Sequence, residues 1–252
     1  LNAIKRQFHH LVRTIPSEGL IVWNQQSDAL KETLDYGCWS HTESFVFHGE
    51  GAQWWGMPGQ DNTVSISFKD QHLGEIQWSQ LGAHNAQNAI AAIAAARHAG
   101  VPVEVSLKAL KEFKGVSRRL EIIGRPNGIT VYDDFAHHPT AVAATLSALK
   151  DNHPDARIVT LLEPRSNTMR MGIHAQALKA ALSDADRVMV YMPPNLEWNF
   201  DLDKRTMSIH DSVEDIIQQC RRELKEGDQV VVMSNGGFDG IHKRLVVELE
   251  SE

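Results

Sequence analysis

The apolar residues of this chain change their rhythm near its middle. Over residues 3–15, Ile4, Phe8, Leu11, Val12 and Ile15 recur at helical spacing, and Pro16-Ser17-Glu18-Gly19 ends the run. Leu20-Ile21-Val22-Trp23 follows as a short buried strand. Between residues 62 and 79 the pattern alternates instead. Val64, Ile66 and Phe68, then Leu73, Ile76 and Trp78, flank a polar Lys69–His72 turn, which predicts a hairpin. His84–His98 is alanine-rich and helical, stopped by Gly100 and Pro102, and a second helix is expected near Val103–Phe113. After Gly115, strands are expected at Ile129–Tyr132, Ile158–Leu162, Val188–Tyr191 and Gln229–Met233. Each leads to a helix, near Ala141–Lys150, Ile173–Leu182, Val213–Leu224 and Gly240–Leu249. Such alternation predicts an α/β fold with a doubly wound, mostly parallel sheet. Residues 1–115 read as mixed α/β with an antiparallel element, and the boundary is expected near Gly115–Leu120.

Composition narrows the partners. The 252 residues, 42% of them hydrophobic, suffice for one large domain or two modest ones. A formal net charge of −7 argues against a general nucleic-acid binder. No apolar run approaches the roughly 20 residues that span a bilayer, and no secretory signal opens the chain. Cys38 and Cys220 lie far apart and form no metal or redox spacing, so reduced thiols in a cytoplasmic protein are expected. The chain opens on Leu1 and runs straight into a helical pattern, as a piece of a longer protein would.

In open α/β sheets, ligands bind beyond the carboxyl ends of the strands. Three unusual segments fall there: DDFAHHPT (133–140), EPRSNTMR (163–170) and SNGGFDG (234–240). Each precedes a helix, whose first N–H groups and positive dipole end favour an anion. Each also has a plain reading. Asp133 and Asp134 can cap a turn, His137 and His138 can be turn histidines, Arg165 and Arg170 a solvated face, and Gly236-Gly237 a tight turn. Adjacent histidines rarely share one metal, and no metal site is expected. In the first half, LGAHNAQNAIAAIAAA places His84, Asn85 and Asn88 at a helix start. Asn85 and Asn88 are three apart on one face, where their amides can read a nucleobase edge, or Asn85 can simply cap the helix. GVSRRLE adds Arg118 and Arg119 at the expected boundary, where a guanidinium can bridge phosphates.

HNAQN, GVSRRLE, DDFAHHPT and the closing glycine-rich segment, in that order, resemble the Mur ligase family, the ATP-dependent amide ligases of peptidoglycan synthesis. DDFAHHPT is similar to the form found in ligases that act on UDP-N-acetylmuramate itself. EPRSNTMRMG and SNGGFDGIHKRL resemble the branch that joins it to the recycled tripeptide L-alanyl-γ-D-glutamyl-meso-diaminopimelate. The resemblance implies that residues 1–115 are the later half of the central ATPase domain and that 116–252 form the Rossmann-like C-terminal domain. GxxxxGK[ST] does not occur, so the phosphate loop and early Mg²⁺ ligands would precede Leu1, and the chain alone would not ligate. ATP would phosphorylate the lactyl carboxylate, and the tripeptide amine would attack the acyl phosphate.

For individual residues the resemblance implies that Asn85 and Asn88 contact adenine, with His84 supporting that edge. Arg119 would reach the phosphates and Asp134 would accept from the ribose hydroxyls. His137 and His138 would line the reacting groups. Arg165, Ser166, Asn167 and Thr168, with Ser234, Gly236, Gly237 and Phe238, would bind the incoming peptide. Gly115–Arg119 would be a hinge. The alternative within the family is UDP-N-acetylmuramate:L-alanine ligase. From other classes, a nicotinamide-dependent oxidoreductase would need the GxGxxG fingerprint, which the chain lacks, and a non-catalytic binding module would need more than 13 scattered histidines.

Overall fold

The computed structural model describes residues 1–164, 175–192 and 206–251. The chain divides into two units, Leu1–Lys114 and Gly115–Glu252.

In the first unit a five-stranded sheet runs in sequence order. Its strands are β1 (Leu20–Asn24), β2 (His41–Phe47), β3 (Trp54–Pro58), β4 (Thr63–Phe68) and β5 (Gln71–Gln77). β1, β2 and β3 pair in parallel, and β3, β4 and β5 antiparallel. The expected hairpin is β4–β5, with Lys69 in the left-handed region at its turn (φ 53°). Helix α3 (Ala83–His98) lays Ala86, Ala89, Ile90, Ile93 and Ala94 on the sheet. Small alanines allow a close approach, and Trp54, Ile66 and Ile76 fill the space between. Helix α4 (Val103–Glu112) packs beside it.

Helix α1 (Asn2–Val12) departs from its amphipathic pattern. Its seam of Ile4, Phe8 and Leu11 is more than half exposed, whereas Lys5 is buried and paired with Glu32 of α2 (Asp28–Asp35). The sequence reading left out α2, β2 and β3. β2 opens on His41-Thr42-Glu43, and β3 contains glycine and proline, so neither shows a clean alternation.

The second unit is built on a six-stranded sheet, ordered β10-β9-β8-β11-β7-β6. β6 (Glu121–Gly124) is its antiparallel edge. β7 (Thr130–Asp134), β8 (Ile158–Leu162), β9 (Arg187–Tyr191), β10 (Met207–His210) and β11 (Gln229–Met233) are parallel. β8 and β11 are buried at every position, which is why IVTLL and QVVVM read as unbroken apolar runs. Among the described residues of this unit, the helices are α5 (Pro139–Asn152), α6 (Ala175–Ala181), α7 (Val213–Glu223) and α8 (Ile241–Glu250). Ser212 starts α7 by accepting a hydrogen bond from the Asp215 N–H at 3.1 Å, with acids in the first turn and Arg221 and Arg222 in the last.

Candidate functional site

Register brings the strand ends level. Met233 of β11 pairs with Asp134 of β7 on one side and Leu162 of β8 on the other. The segments that follow these three strands therefore leave the sheet at one edge, where the sequence places its unusual residues.

Alternation in β7 then separates the two aspartates. Asp133 follows Ile129 and Val131 on the face that packs against α7 and α8, and it is met there by an arginine and an imidazole. The Arg118 guanidinium lies 3.3 Å from it, and His242 Nε2 of α8 lies 3.1 Å away. Burial lowers the His242 pKa, and the Asp133 charge opposes that shift. Asp134 points to the other face. Its Oδ2 accepts from the Leu120 N–H at 2.8 Å, and its Oδ1 from the Ala136 N–H at 2.7 Å and the Thr145 hydroxyl at 3.4 Å. Burial raises the Asp134 pKa, and those hydrogen bonds offset only part of the shift. At 3% exposure this carboxylate staples the turn after β7.

The two histidines take different tautomers. His137 Nδ1 lies 2.9 Å from the Phe135 carbonyl, which can only accept, so Nδ1 carries the proton and Nε2 is the basic nitrogen. His138 is the N-cap of α5: its Nδ1 accepts from the Thr140 N–H at 3.3 Å, so its proton sits on Nε2. His138 thus has its Nδ1 committed to the helix cap, while His137 is held through its Nδ1 to the turn. Pro139 at the first helical position sets this junction.

The two arginines also part. Arg118 turns inward, donating through Nη2 to the carbonyls of Ser234 at 2.6 Å and Gly236 at 2.9 Å. Arg119 is exposed, its guanidinium 5.9 Å from the Phe135 ring centre. Of the two, Arg119 is the one open to solvent.

In the glycine segment two side chains turn inward. Ser234 is fully buried; its hydroxyl donates to Glu163 and accepts from the Gly236 N–H at 2.8 Å, so it shapes the loop. Phe238 is likewise 0% exposed, stacked on Tyr191 at 5.6 Å within the core, so its side chain is not a peptide contact. Gly236 and Gly237 stay accessible. Arg165, Ser166, Asn167 and Thr168 lie outside the described residues. Between β6 and α8 runs a groove of about 880 Å³ whose lining includes Ile122, Asp133, His242 and Val246.

In the first unit, α3 starts at Gly82, with Asn85 in its first turn and not at the cap. The Asn85 amide donates to the Leu81 carbonyl at 2.8 Å, leaving its carbonyl oxygen and one N–H for another partner. Asn88, one turn on, is exposed, and His84 is half-buried. Among the described residues, no group of three or more His, Cys, Asp or Glu side chains is placed to hold a metal ion, and no helix is long and apolar enough to cross a membrane.

Residues 118–236 match the family profile described as Mur ligase, glutamate ligase domain. The chain is 40% identical to the UDP-N-acetylmuramate–L-alanyl-γ-D-glutamyl-meso-2,6-diaminoheptandioate ligase of Haemophilus influenzae, over 99% of this chain and 56% of that protein. It is 42% identical to the enzyme of the same name from Escherichia coli, over 98% and 55%. The crystal structure of a murein peptide ligase from Psychrobacter arcticus superposes with a TM-score of 0.72 at 39% identity, over the whole of this chain and 55% of that one. A UDP-N-acetylmuramate–alanine ligase from Thermotoga maritima shares the fold at 19% identity, with a TM-score of 0.76 over 98% of this chain and 55% of that one. The chain thus spans about half the length of the curated relatives it matches.

Proposed function

The chain belongs to the Mur ligase family, and from that premise we propose that it is the later part of an ATP-dependent ligase joining UDP-N-acetylmuramate to L-alanyl-γ-D-glutamyl-meso-diaminopimelate. The observation that carries this reading is likeness of about 40% along nearly the whole chain, through both units, to proteins named for that reaction. Relatives named for L-alanine cover less at similar identity, 64% of the chain at 37% in one case. Residues 1–115 are then the later half of an ATP-binding domain. The exposed apolar seam of α1 supports this, as a surface on which further chain of that domain packs. Peptidoglycan recycling in the cytoplasm is the corresponding setting.

ATP supplies the phosphoryl group that converts the lactyl carboxylate to an acyl phosphate, and the protein's share is positioning and charge neutralisation. Asn85 and Asn88, with His84 beside them, offer donors and acceptors to the adenine edge. Arg119 neutralises phosphate. His137 Nε2 accepts a proton as the amine attacks. Gly236 and Gly237, with Arg165, Ser166, Asn167 and Thr168, hold the acidic peptide.

In the full-length protein, Arg119→Ala should raise the ATP KM by roughly tenfold or more and leave the peptide KM within about twofold, as for loss of one charge-assisted contact. Steady-state phosphate release, measured with the tripeptide and with L-alanine as acceptors, tests the reading itself. A preference for L-alanine would transfer the assignment to the alanine-adding ligase.

A further inference from the structure

We propose that Arg118 is a positioning residue, which acts on the amino substrate only by fixing the shape of the Ser234–Gly237 loop. The inference rests on the ligase reading for its consequence but not for its geometry. Arg118 stands in the left-handed region (φ 59°), and so does Leu120 (φ 48°). Four contacts hold that turn. The Arg118 N–H and the Ser117 hydroxyl both donate to Glu121 at 2.8 Å, the Leu120 N–H donates to Asp134 at 2.8 Å, and the Phe135 N–H donates to the Arg118 carbonyl at 2.8 Å. A bulky residue persists in that conformation only where its surroundings over-determine it. The outcome is a guanidinium delivered beneath the glycine loop, its Nε against Asp133 and its Nη2 shared by the Ser234 and Gly236 carbonyls.

Peptide planarity carries the argument further. In a trans peptide the N–H points opposite to the C=O of the same unit. With the Ser234 and Gly236 carbonyls turned onto Arg118, the N–H groups of Asn235 and Gly237 point away from it. The Ser234 hydroxyl, donating to Glu163, fixes the intervening Gly236 N–H inward. Alternate N–H groups thus face outward at the sheet's carboxyl edge, where an acid-bearing peptide would present its carboxylates. Arg118 needs no contact with substrate to set this. A lysine cannot reproduce it, because one ammonium lacks the planar fork that reaches Asp133 and the loop together.

The test has two arms. Amide hydrogen exchange in this chain, comparing wild type with Arg118→Met and Arg118→Lys, reads the loop directly. We expect exchange at Gly236, whose N–H donates to the Ser234 hydroxyl, to rise about tenfold or more in Arg118→Met and less in Arg118→Lys, with β7, β8 and β11 amides unchanged. Unchanged loop exchange, or an equal rise throughout the sheet, would overturn the proposal. If Arg118→Met does not fold, Arg118→Lys alone carries the comparison. In the full-length ligase, both variants should raise the KM for the tripeptide with little change in the ATP KM, and the lysine should partly restore peptide use. An ATP KM raised as much as the peptide KM would make Arg118 a nucleotide contact. Faster loop exchange in a protein that shows no peptide-dependent turnover would leave the positioning role standing and remove the ligase reading.

Discussion

Phe238→Ala should destabilise the second unit by about 3–5 kcal/mol, the usual cost of truncating a fully buried aromatic. The ring is 0% exposed, stacked on Tyr191 and packed with the β8–β11 core. It also anchors a strained segment. Phe238 and Asp239 both lie in the left-handed region (φ 43° and 47°), and Gly240 follows at 68°. Alanine is strained at that φ too, so the variant loses the anchor without relieving the backbone. Opening free energies from hydrogen exchange of the β7, β8 and β11 amides measure the loss. Phe238→Leu, which keeps most of the apolar volume, should cost distinctly less. Were the side chain a peptide contact instead, Phe238→Ala would leave these amides protected and change only peptide use.

Asp134→Ala should cost the same unit about 3 kcal/mol, by leaving the part-buried Leu120 N–H and the buried Ala136 N–H without their acceptor. The pH dependence gives a second signature. A carboxyl whose folded pKa is raised binds its proton more tightly folded than unfolded. Between the ordinary value of 3.8 and the higher folded value, this group therefore lowers stability as pH rises. Asp134→Asn, which keeps an acceptor but does not titrate, should remove that contribution and lose less stability than alanine. A variant as stable as wild type whose only defect is a raised ATP KM would refute the staple and leave Asp134 a ribose contact alone.

These two residues mark where sequence and structure part. The parallel strands of the second unit are legible because burial on both faces leaves apolar runs that nothing else explains, as in Ile158–Leu162 and Gln229–Met233. β6 and β10 escape because a four-residue edge strand carries too short a pattern. The α1 seam misleads, since an apolar helical face predicts burial and here Ile4, Phe8 and Leu11 are exposed. At the site, the segments are readable but the division of labour is not. DDFAHHPT announces two acids and two imidazoles, yet which acid faces Arg118 and His242 depends on strand parity, with Asp133 on the Val131 face and Asp134 opposite. That parity was available in the sequence: an acid continuing an apolar face needs a buried cation, and Arg118 was a candidate. His242 was not foreseeable, because its meeting with Asp133 joins β7 to α8 across more than a hundred residues.

The central claim is that this chain belongs to a ligase that builds one particular amide, and the product is its most direct test. Full-length protein would be incubated with ATP, Mg²⁺, UDP-N-acetylmuramate and an equimolar mixture of the tripeptide and L-alanine, and the products weighed by mass spectrometry. The account predicts UDP-N-acetylmuramyl tripeptide as the main product, with one phosphate released per amide formed. UDP-N-acetylmuramyl-L-alanine as the main product, or phosphate release with no condensed product, would contradict it.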